Sequence, residues 1–327
     1  RCSSSAGAVS GWVGVQLSSA HGALSSGSSF YYHAALRVSG VAPPLGPERG
    51  GTRVTVLGGG FRDAYTLRCR FDNASSAVLA RYVDEAQLEC VTPLHSLGAK
   101  AVLLSMNAQQ YSGGGVAYTY QMAATVSRVT PSVVPAEGGT PLTVHGSGFS
   151  QASESLGYLL CRVGGSVRRA QWASAEAVVC NSTSAPAGEA RVEVSNNARE
   201  YTSDGVRVRL ASVRVVEVQP WSGPQLGATV VSVRARGTVP GSLLCRFGEA
   251  AAVAAWSGGA SRLRCSSSAS AVSGWVGVQL SSAYGVLSSG NSFCYHAALH
   301  GSGVAPPFGP ERGGTRVTVL GGGFRDA

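Results

Sequence analysis

Gly50-Gly51-Thr52-Arg53-Val54-Thr55-Val56-Leu57-Gly58-Gly59-Gly60-Phe61 is the stretch of sequence that decides the fold. From Arg53 to Val56 its residues alternate between polar and apolar, a period of two that places one side of a strand in a core and the other in water. The flanking glycines permit the positive φ of tight turns, and Phe61 is suited to filling the core of a sandwich. The stretch therefore predicts a β-strand bounded by two tight turns.

The same pattern recurs along the chain. Thr52 has counterparts at Thr140, Thr229 and Thr315, at spacings of 88, 89 and 86 residues. Together these spacings make a longer period of 263 residues, at which residues 1–64 and 264–327 are identical at 56 of 64 positions. Repeats of this length indicate an array of similar domains, here of three types that follow one another in a fixed order.

The repeat divides the 327 residues into five segments. Both ends fall inside a domain, and the chain starts at Arg1 without a Met or an apolar leader, so we expect a window onto a longer array. The segments are the C-terminal part of a third-type domain (1–37), a first-type domain (38–123), a second-type domain (124–211), a third-type domain (212–300) and the N-terminal part of the next first-type domain (301–327).

Short alternating segments dominate every unit, as in Arg191-Val192-Glu193-Val194 and Val276-Gly277-Val278-Gln279-Leu280. No segment of ten or more residues shows the 3.6-residue apolar period of a helix. Many short strands separated by Gly and Pro turns, in units of this size, predict an all-β fold of tandem sandwiches in a linear array. The 44% of hydrophobic residues is enough to build their cores.

Eight cysteines follow the same repeat. Each complete domain holds one pair, separated by 21, 19 and 20 residues: Cys69 and Cys90, Cys161 and Cys180, Cys245 and Cys265. One pair per unit in a constant register predicts an intradomain disulfide. Closing a loop of this length stabilises a domain by roughly 3 kcal/mol in the chain-entropy model. Metal ligation and free core thiols are the alternatives, but zinc needs two further Cys or His ligands nearby, and none recurs.

Two cysteines fall outside these pairs. Cys2 is the counterpart of Cys265, so we expect its partner to precede the first residue. Cys294 stands where the other copy of the repeat has Tyr31. Three interpretations of Cys294 stay open: an unpaired buried thiol, an intermolecular link and a sequence ambiguity.

Disulfides form in oxidising compartments, so the paired cysteines favour an extracellular chain, either secreted or on the cell surface. Two acceptor sequences for N-linked glycans agree with this localisation: Asn73-Ala74-Ser75 and Asn181-Ser182-Thr183. We therefore predict N-glycosylation at Asn73 and Asn181. No stretch approaches the roughly 20 apolar residues that span a bilayer, so no membrane span is expected in this segment.

The units resemble IPT/TIG domains. The resemblance rests on Val41–Phe61, on Val129–Phe149, on the Cys-Arg-Phe and Leu-x-Cys frames around the paired cysteines, and on Val192–Asn197 before Tyr201. It implies immunoglobulin-like sandwiches. The third complete unit departs from the pattern, since it has Gly227-Ala228-Thr229 where the others have Gly-Gly-Thr, which puts its turn geometry in doubt. The family occurs in plexin-type receptors, surface proteins and transcription factors and beside carbohydrate enzymes, so the resemblance bears on fold more than on function.

Catalytic and cofactor chemistry has little support. His33 and His296 recur, but no His recurs with an acid and a nucleophile at fixed spacing. The glycines at 58–60 lack the helix, Lys and Ser/Thr continuation of a phosphate-binding loop, and aspartates are too sparse for a calcium loop. Trp172 and Trp256, shortly before the second cysteine of their pairs, are interpreted as packing on the disulfide, with a sugar-stacking platform as the alternative. We expect no enzyme, no metal and no cofactor.

The formal net charge of +9 raises the possibility of a polyanionic partner, although only 13% of residues are charged. All basic residues except Lys100 are Arg, and the lack of Ile is typical of a GC-rich genome, so this preference is weak evidence for phosphate recognition. The basic residues form no dense stripe interleaved with aromatics, and DNA-binding members of the family work inside cells, where paired cysteines stay reduced. An acidic polysaccharide is therefore a better candidate partner than nucleic acid.

The junctions between units are short, which predicts a stiff, quasi-linear rod. Our leading hypothesis is a non-catalytic structural subunit of an extracellular fibril or cell-surface appendage, whose partners are further copies of itself and covalent glycans. The alternative is the stalk of a receptor or adhesin ectodomain that binds protein or carbohydrate. A spacer attached to an enzyme is a third possibility.

Overall fold

The computed structural model describes residues 3–4, 10–72, 77–112, 115–236, 243–256, 262–282 and 285–324. Strands make up most of this part of the chain, and its one helix has five residues. The prediction of an all-β fold of tandem sandwiches is confirmed. The predicted domain boundaries stay predictions, although a β-strand begins within two residues of each of them.

A two-stranded hairpin precedes the first complete sandwich, which we call the first domain. Its two strands are β1 (Gly11–Ser19) and β2 (Gly22–Tyr32). The first domain contains β3 (Arg37–Ala42), β4 (Leu45–Pro47), β5 (Arg53–Gly59), β6 (Arg68–Phe71), β7 (Val78–Asp84), β8 (Gln87–Val91), β9 (Gly98–Ser105) and β10 (Ala117–Gln121).

The strands of the first domain follow the order β3-β5-β8-β7-β6-β9-β10-β4. β7 pairs with β8 in one layer and with β6 in the other, so the sheet folds over on itself. The alternation read from the sequence is confirmed in β5, where Val54 and Val56 are fully buried. They pack with Phe71 and Leu88 between the layers.

The second domain has the same plan with one strand divided. It contains β11 (Thr125–Thr130), β12 (Val133–Pro135), β13 (Pro141–Ser147), α1 (Gln151–Ser155), β14 (Leu160–Val163), β15 (Ser166–Arg169), β16 (Gln171–Ser174), β17 (Ala177–Asn181), β18 (Gly188–Ser195) and β19 (Arg207–Ala211). The sheets have the orders β11-β13-β17-β16 and β12-β19-β18-β14-β15. β15 and β16 take the place of β7, with the buried Ala170 between them.

The third domain returns to the eight-stranded plan. It contains β20 (Arg214–Gln219), β21 (Ser222–Pro224), β22 (Val230–Arg236), β23 (Leu244–Phe247), β24 (Ala250–Trp256), β25 (Arg262–Ser266), β26 (Gly274–Ser282) and β27 (Gly285–His296). Their order is β20-β22-β25-β24-β23-β26-β27-β21. A final pair consists of β28 (His300–Ala305) and β29 (Thr318–Gly322).

A disulfide links the two layers of each sandwich. The bonds are Cys69–Cys90, Cys161–Cys180 and Cys245–Cys265, with Cα atoms 6.4, 6.1 and 6.2 Å apart. Every one of these cysteines is at most 2% exposed, so each bridge lies within its hydrophobic core.

The departure of the third domain from Gly-Gly-Thr leaves its turn geometry unchanged. Ala228 has a φ of 62°, beside 86° at Gly51 and 81° at Gly139 in the matching turns. The backbone nitrogen of Thr229 donates to Ser267 Oγ, as that of Thr52 donates to Thr92 Oγ1. Alanine thus adopts here a left-handed conformation that is normally left to glycine.

Candidate functional site: the joint between the first and second domains

The first domain passes into the second through three residues, because β10 ends at Gln121 and β11 begins at Thr125. At this joint the turn that precedes β5 faces the loop between β18 and β19 of the second domain. Both elements are polar, and hydrogen bonds between their side chains hold the joint together. It is the best-defined polar site in the described part of the chain.

Thr52 and Asn197 form the centre of the joint. The amide nitrogen Nδ2 of Asn197 donates to Thr52 Oγ1 at 3.3 Å, and the Thr52 hydroxyl donates to Glu200 Oε2 at 2.8 Å. Asn197 also donates to the same Glu200 carboxylate, which closes a three-membered ring of hydrogen bonds. Thr52 is 0% and Asn197 2% exposed, so two of the three members are shielded from water. Bonds to an ionised carboxylate are stronger than neutral ones.

The loop of the second domain orients Asn197 toward the first. Its side-chain oxygen Oδ1 accepts hydrogen bonds from the Ser195 hydroxyl and from the backbone nitrogens of Arg199 and Glu200, at 3.2, 3.0 and 3.1 Å. Ala198, with a φ of 59°, makes the tight bend that these bonds close. Because Oδ1 is occupied inside the loop, the amide nitrogen is left to reach the preceding domain.

The first domain provides a recess for this side chain. Gly46 lies under it, and a Cβ at that position would collide with the hydroxyl of Tyr118 and come within 2.7 Å of Thr52 Oγ1 and 3.0 Å of Asn197 Nδ2. Glycine at 46 is therefore required by close approach.

Two tyrosines lie beneath the recess. Burial raises the pKa of the Tyr118 hydroxyl to about 12, and the negative charge of Glu200 adds to the rise, while the hydroxyls of Thr52 and Thr92 oppose it. Burial also raises the pKa of Tyr120 well above its usual range, with a further contribution from Tyr118. Both hydroxyls therefore stay neutral at physiological pH.

A second group of hydrogen bonds crosses the joint at Gln121. Its amide nitrogen donates to Ser150 Oγ at 2.8 Å, and its oxygen accepts from Ser153 Oγ at 3.3 Å. Ser150 is the N-cap of α1 and accepts from the backbone nitrogen of Ser153. The short helix thus holds the end of β10 at a point separate from the Thr52 ring, and two separate attachments restrict rotation between the domains.

The cleft between the two domains has a volume of about 250 Å³ and is lined by Arg49, Gln121, Asn197, Glu200 and Asp204 among others. That is below the roughly 300–1,000 Å³ of typical small-molecule sites. The hydrogen bonds of the joint lie along this cleft, and its size does not support a ligand site.

A larger cleft of about 680 Å³ lies between the hairpin β1–β2 and the first domain, lined by Trp12, Phe30 and Tyr31. The hairpin has almost the same sequence as β26–β27, which in the third domain is flanked by β23 and β21. There Phe293 is 0% exposed, whereas its counterpart Phe30 is 40% exposed. Phe30 therefore belongs to the interior of a sandwich, whereas Trp275, the counterpart of Trp12, is 65% exposed in the third domain.

Other predicted site residues lie away from the joint. Asn181 is exposed at the end of β17, an accessible position for a glycan. Asn73 and Cys2 lie outside the described residues. Cys294 is 2% exposed on β27, opposite Trp275 in register. Trp172 packs against the core that holds Cys161 and Cys180, in line with its interpretation as a core residue.

The two histidines that recur in the sequence lie against their own backbone. His33 and His296 each place Nδ1 within 2.9 Å of the carbonyl oxygen of the next residue. Within the described ranges, no three His, Cys, Asp or Glu side chains form a group that could hold a metal ion. The same ranges contain no helix with the length and hydropathy needed to cross a membrane.

The family of the chain follows from its first two complete sandwiches. The model of the IPT/TIG domain family matches residues 36–120 and 124–209, more than half of the chain. The chain belongs to the IPT/TIG domain family. Human Plexin-A3 is 29% identical over 109 residues, which cover 33% of this chain and 6% of Plexin-A3. Human Fibrocystin-L is 30% identical over 123 residues, which cover 36% of this chain and 3% of Fibrocystin-L.

Two solved structures overlap with most of the chain. The full extracellular region of Plexin A4 superposes with a TM-score of 0.40 at 18% identity, over 82% of this chain and 25% of that one. The Escherichia coli adhesin FdeC superposes with a TM-score of 0.27 at 15% identity, over 82% of this chain and 99% of that one. The matches to the curated relatives cover 6% of Plexin-A3 and 3% of Fibrocystin-L, so the chain spans a small part of the length of these proteins.

The sequence identified Thr52 and Asn197 only as parts of family motifs and did not predict their contact. It did contain a signal for the loop around Asn197, since Asn-x-x-Glu at Asn197–Glu200 and Asn-x-x-Gln at Asn107–Gln110 occur at the same position of two domains. In both loops an Asn oxygen accepts from the backbone two and three residues later. The partner, 145 residues away, could not be read from that pattern.

Proposed function

We propose that the chain is part of the extracellular stalk of a cell-surface receptor or adhesin, in which IPT/TIG domains act as stiff, non-catalytic spacers. The observation that carries the proposal is the joint between the first and second domains. Three residues connect the sandwiches, and two separate sets of side-chain hydrogen bonds cross between them. A linker this short with fixed contacts restrains the angle between the domains, as a spacer requires.

Two further observations support this proposal. The disulfides in the cores are typical of oxidising compartments, which supports a location outside the cytosol. The matches also include Plexin-A4, a protein whose extracellular region has been solved.

The stiffness of the joint can be tested on the intact chain. Electron microscopy of single particles measures the distribution of angles between the first and second domains. We expect a narrow distribution for the unaltered chain and a broad one for the triple variant T52V/Q121A/N197A. N107A is the matched control, because it removes an Asn from the corresponding loop of the first domain and leaves this joint intact. A broad distribution in the unaltered chain, or no change in the triple variant, would reject the spacer.

A fibril subunit is the second candidate function, and the super-repeat favours it. Identity at 56 of 64 positions over a period of 263 residues means that the same surface recurs at regular intervals. A recurring surface that contacts another copy without closing a ring produces a filament. Sedimentation of the purified chain over a range of concentrations distinguishes the candidates: ordered filaments support the fibril, and a monomer at every concentration supports the stalk.

N-glycosylation is part of either proposal. Asn181 is exposed in the structure and begins an acceptor sequence, and Asn73 begins another. We expect the secreted chain to lose mass on treatment with an N-glycosidase, and the variant N181Q to lack one of the glycans. An unchanged mass for material from a glycosylating host would remove glycans from the proposal.

A further inference from the structure

One face of the third domain combines several exposed arginines with a single acidic residue. It is formed by the outward side of three adjacent strands, β20, β22 and β25. Five exposed arginines occupy it, and we refer to them as the arginine face: Arg214, Arg234, Arg236, Arg262 and Arg264.

Strand register brings these side chains together. Arg214 lies directly opposite Arg236, and Arg234 directly opposite Arg262. Arg264 follows Arg262 by two residues on the same side of β25, opposite Ser232. With neighbouring strands about 4.8 Å apart, and residues two apart on one strand about 6.6 Å apart, the five Cα atoms occupy an area of about 10 by 13 Å.

The alternation of these strands explains why the arginines all point outward. Val231, Val233, Leu263 and Cys265 alternate with them and are at most 2% exposed in the core. A bulge at Val216 on β20 shifts the alternation by one residue, which brings Glu217 opposite Arg234.

Charge on the arginine face is largely unbalanced. The three strands contain one acidic residue, Glu217, whose Oε2 lies 2.8 Å from Nε of Arg234. Like charges at directly opposed positions of a sheet repel, as Arg214 and Arg236 do. A face of this kind is destabilised unless an anion lies against it.

The matching strands of the other two domains carry fewer arginines. The first domain has two arginines and one glutamate there, at Arg37, Arg53 and Glu89, and the second has a single arginine, Arg128. In the first domain Glu89 binds both Arg53 and Arg81. The second domain carries most of its arginines on its other sheet, where two glutamates accompany them: Glu193 binds Arg162, and Glu189 lies opposite Arg209. The arginine face differs from both in having one glutamate beside five arginines.

We propose that the arginine face binds an acidic polysaccharide, a linear polymer that carries carboxylate or sulfate groups. Guanidinium groups form two parallel hydrogen bonds with such anions, and an extended face of about 13 Å spans two to three sugar units. Nucleic acid fits less well, because no outward residue of the three strands is aromatic and so no base-stacking platform accompanies the charge. The core disulfides also place the chain outside the compartments that hold nucleic acid.

The repeat extends the proposal along the array. Arg1 is the counterpart of Arg264, so the preceding third-type segment starts with the same residue. One arginine face in every 263 residues would let a single polysaccharide chain contact several domains, and linked sites bind more tightly than one. The proposal goes beyond the stalk or fibril and does not depend on the stiffness of the joint.

The test uses the intact chain and immobilised heparin, polygalacturonate, neutral dextran and double-stranded DNA. The variant R236S/R262S/R264S removes three charges from the arginine face, and the control R168S/R169S/R191S removes three exposed charges from the second domain. We expect retention on heparin or polygalacturonate but not on dextran, and an affinity loss of about tenfold or more for the first variant only. Its affinity should also depend less steeply on salt, by up to about one unit of slope per arginine.

Each outcome decides the proposal. Equal losses in both variants would show that net charge alone causes binding, and binding to DNA as tight as to either acidic polysaccharide would show a face without the proposed selectivity; both overturn it. Retention on heparin alone assigns sulfate as the recognised group, and retention on polygalacturonate alone assigns carboxylate. Thermal unfolding of both variants confirms that they are folded.

Discussion

The side-chain nitrogen of Asn197 lies 3.3 Å from the hydroxyl oxygen of Thr52, a residue 145 positions earlier in the chain and in the preceding domain. Both side chains are almost fully buried, and the carboxylate of Glu200 accepts from each of them. A contact that is buried and polar specifies one arrangement of the two domains, because any other leaves its groups without partners.

The coupling between these two residues is measurable. T52V and N197A together should cost less than the sum of the two single changes, by about 0.5–1.5 kcal/mol, because the second change removes a bond that the first has already broken. Chemical denaturation of the four proteins gives the coupling energy. N107A in place of N197A gives the reference value, which we expect to be close to zero. A coupling energy of zero for Thr52 and Asn197 would contradict the contact.

Gly46 should be intolerant of a side chain. The variant G46A places a methyl group against the Tyr118 hydroxyl and Thr52 Oγ1, so we expect a loss of about 1–3 kcal/mol in the stability of the first domain. G40A is the control, since a methyl group there meets Leu57 at an ordinary 3.6 Å. Denaturant unfolding compares the two. Equal stability of G46A and G40A would mean that the recess is open.

Alkaline pH should destabilise the first domain through its buried tyrosines. Tyr118 has a pKa of about 12 in the folded chain, against about 10 when unfolded. The contribution of the buried, neutral Tyr118 to the free energy of unfolding is complete below about pH 10. It is lost between about pH 10 and about pH 12, at up to about 1.4 kcal/mol per pH unit, because the unfolded chain ionises there first.

The ionisation of these tyrosines in the folded chain can be measured directly from the absorbance of phenolate. Tyr118 and Tyr120 should ionise later than the exposed tyrosines, and the variant Y118F should lack one of the late ionisations. Its stability should also fall less steeply above pH 10. Ionisation of all 11 tyrosines in a single early step would contradict the burial of both groups.

Removal of one disulfide should weaken its own domain alone. The double variant C161A/C180A opens a loop of 19 residues and should cost the second domain roughly 3 kcal/mol. Hydrogen exchange should show faster opening of β13 and β17, with β5 of the first domain unchanged as the internal control. Uniform acceleration through all domains would mean that they unfold as one unit.

Ala228 offers a site for stabilisation. Its φ of 62° is costly for a residue with a Cβ, so A228G should relieve strain in the folded third domain. Glycine also raises the conformational entropy of the unfolded chain, which opposes this gain, so we expect a net stabilisation of about 0.5–1 kcal/mol. The reverse change, G51A in the first domain, should destabilise the matching turn. Thermal unfolding measures both, and a loss of stability in A228G would show that the turn tolerates alanine without strain.

The fold was predictable because strand alternation is a local property. The alternation over Arg53–Val56 showed which side of β5 is buried, and the constant spacing of the cysteines marked equivalent strands in each domain. The joint was not predictable, since Asn197 meets Thr52 only after two sandwiches have formed and been placed end to end. The arginine face escaped notice for a related reason: its members come from three strands, and the bulge at Val216 obscures the alternation of β20.

The parallel pairing of β4 with β10 has a mechanical consequence. Thr119, Tyr120 and Gln121 pair with Leu45, Gly46 and Pro47, and the other two domains repeat the arrangement with β12–β19 and β21–β27. Tension applied to the ends of the chain draws these two strands in opposite directions along their own length. All hydrogen bonds of the pair then share the load at once instead of opening in turn, so each domain resists stretching along the direction in which the array would be pulled.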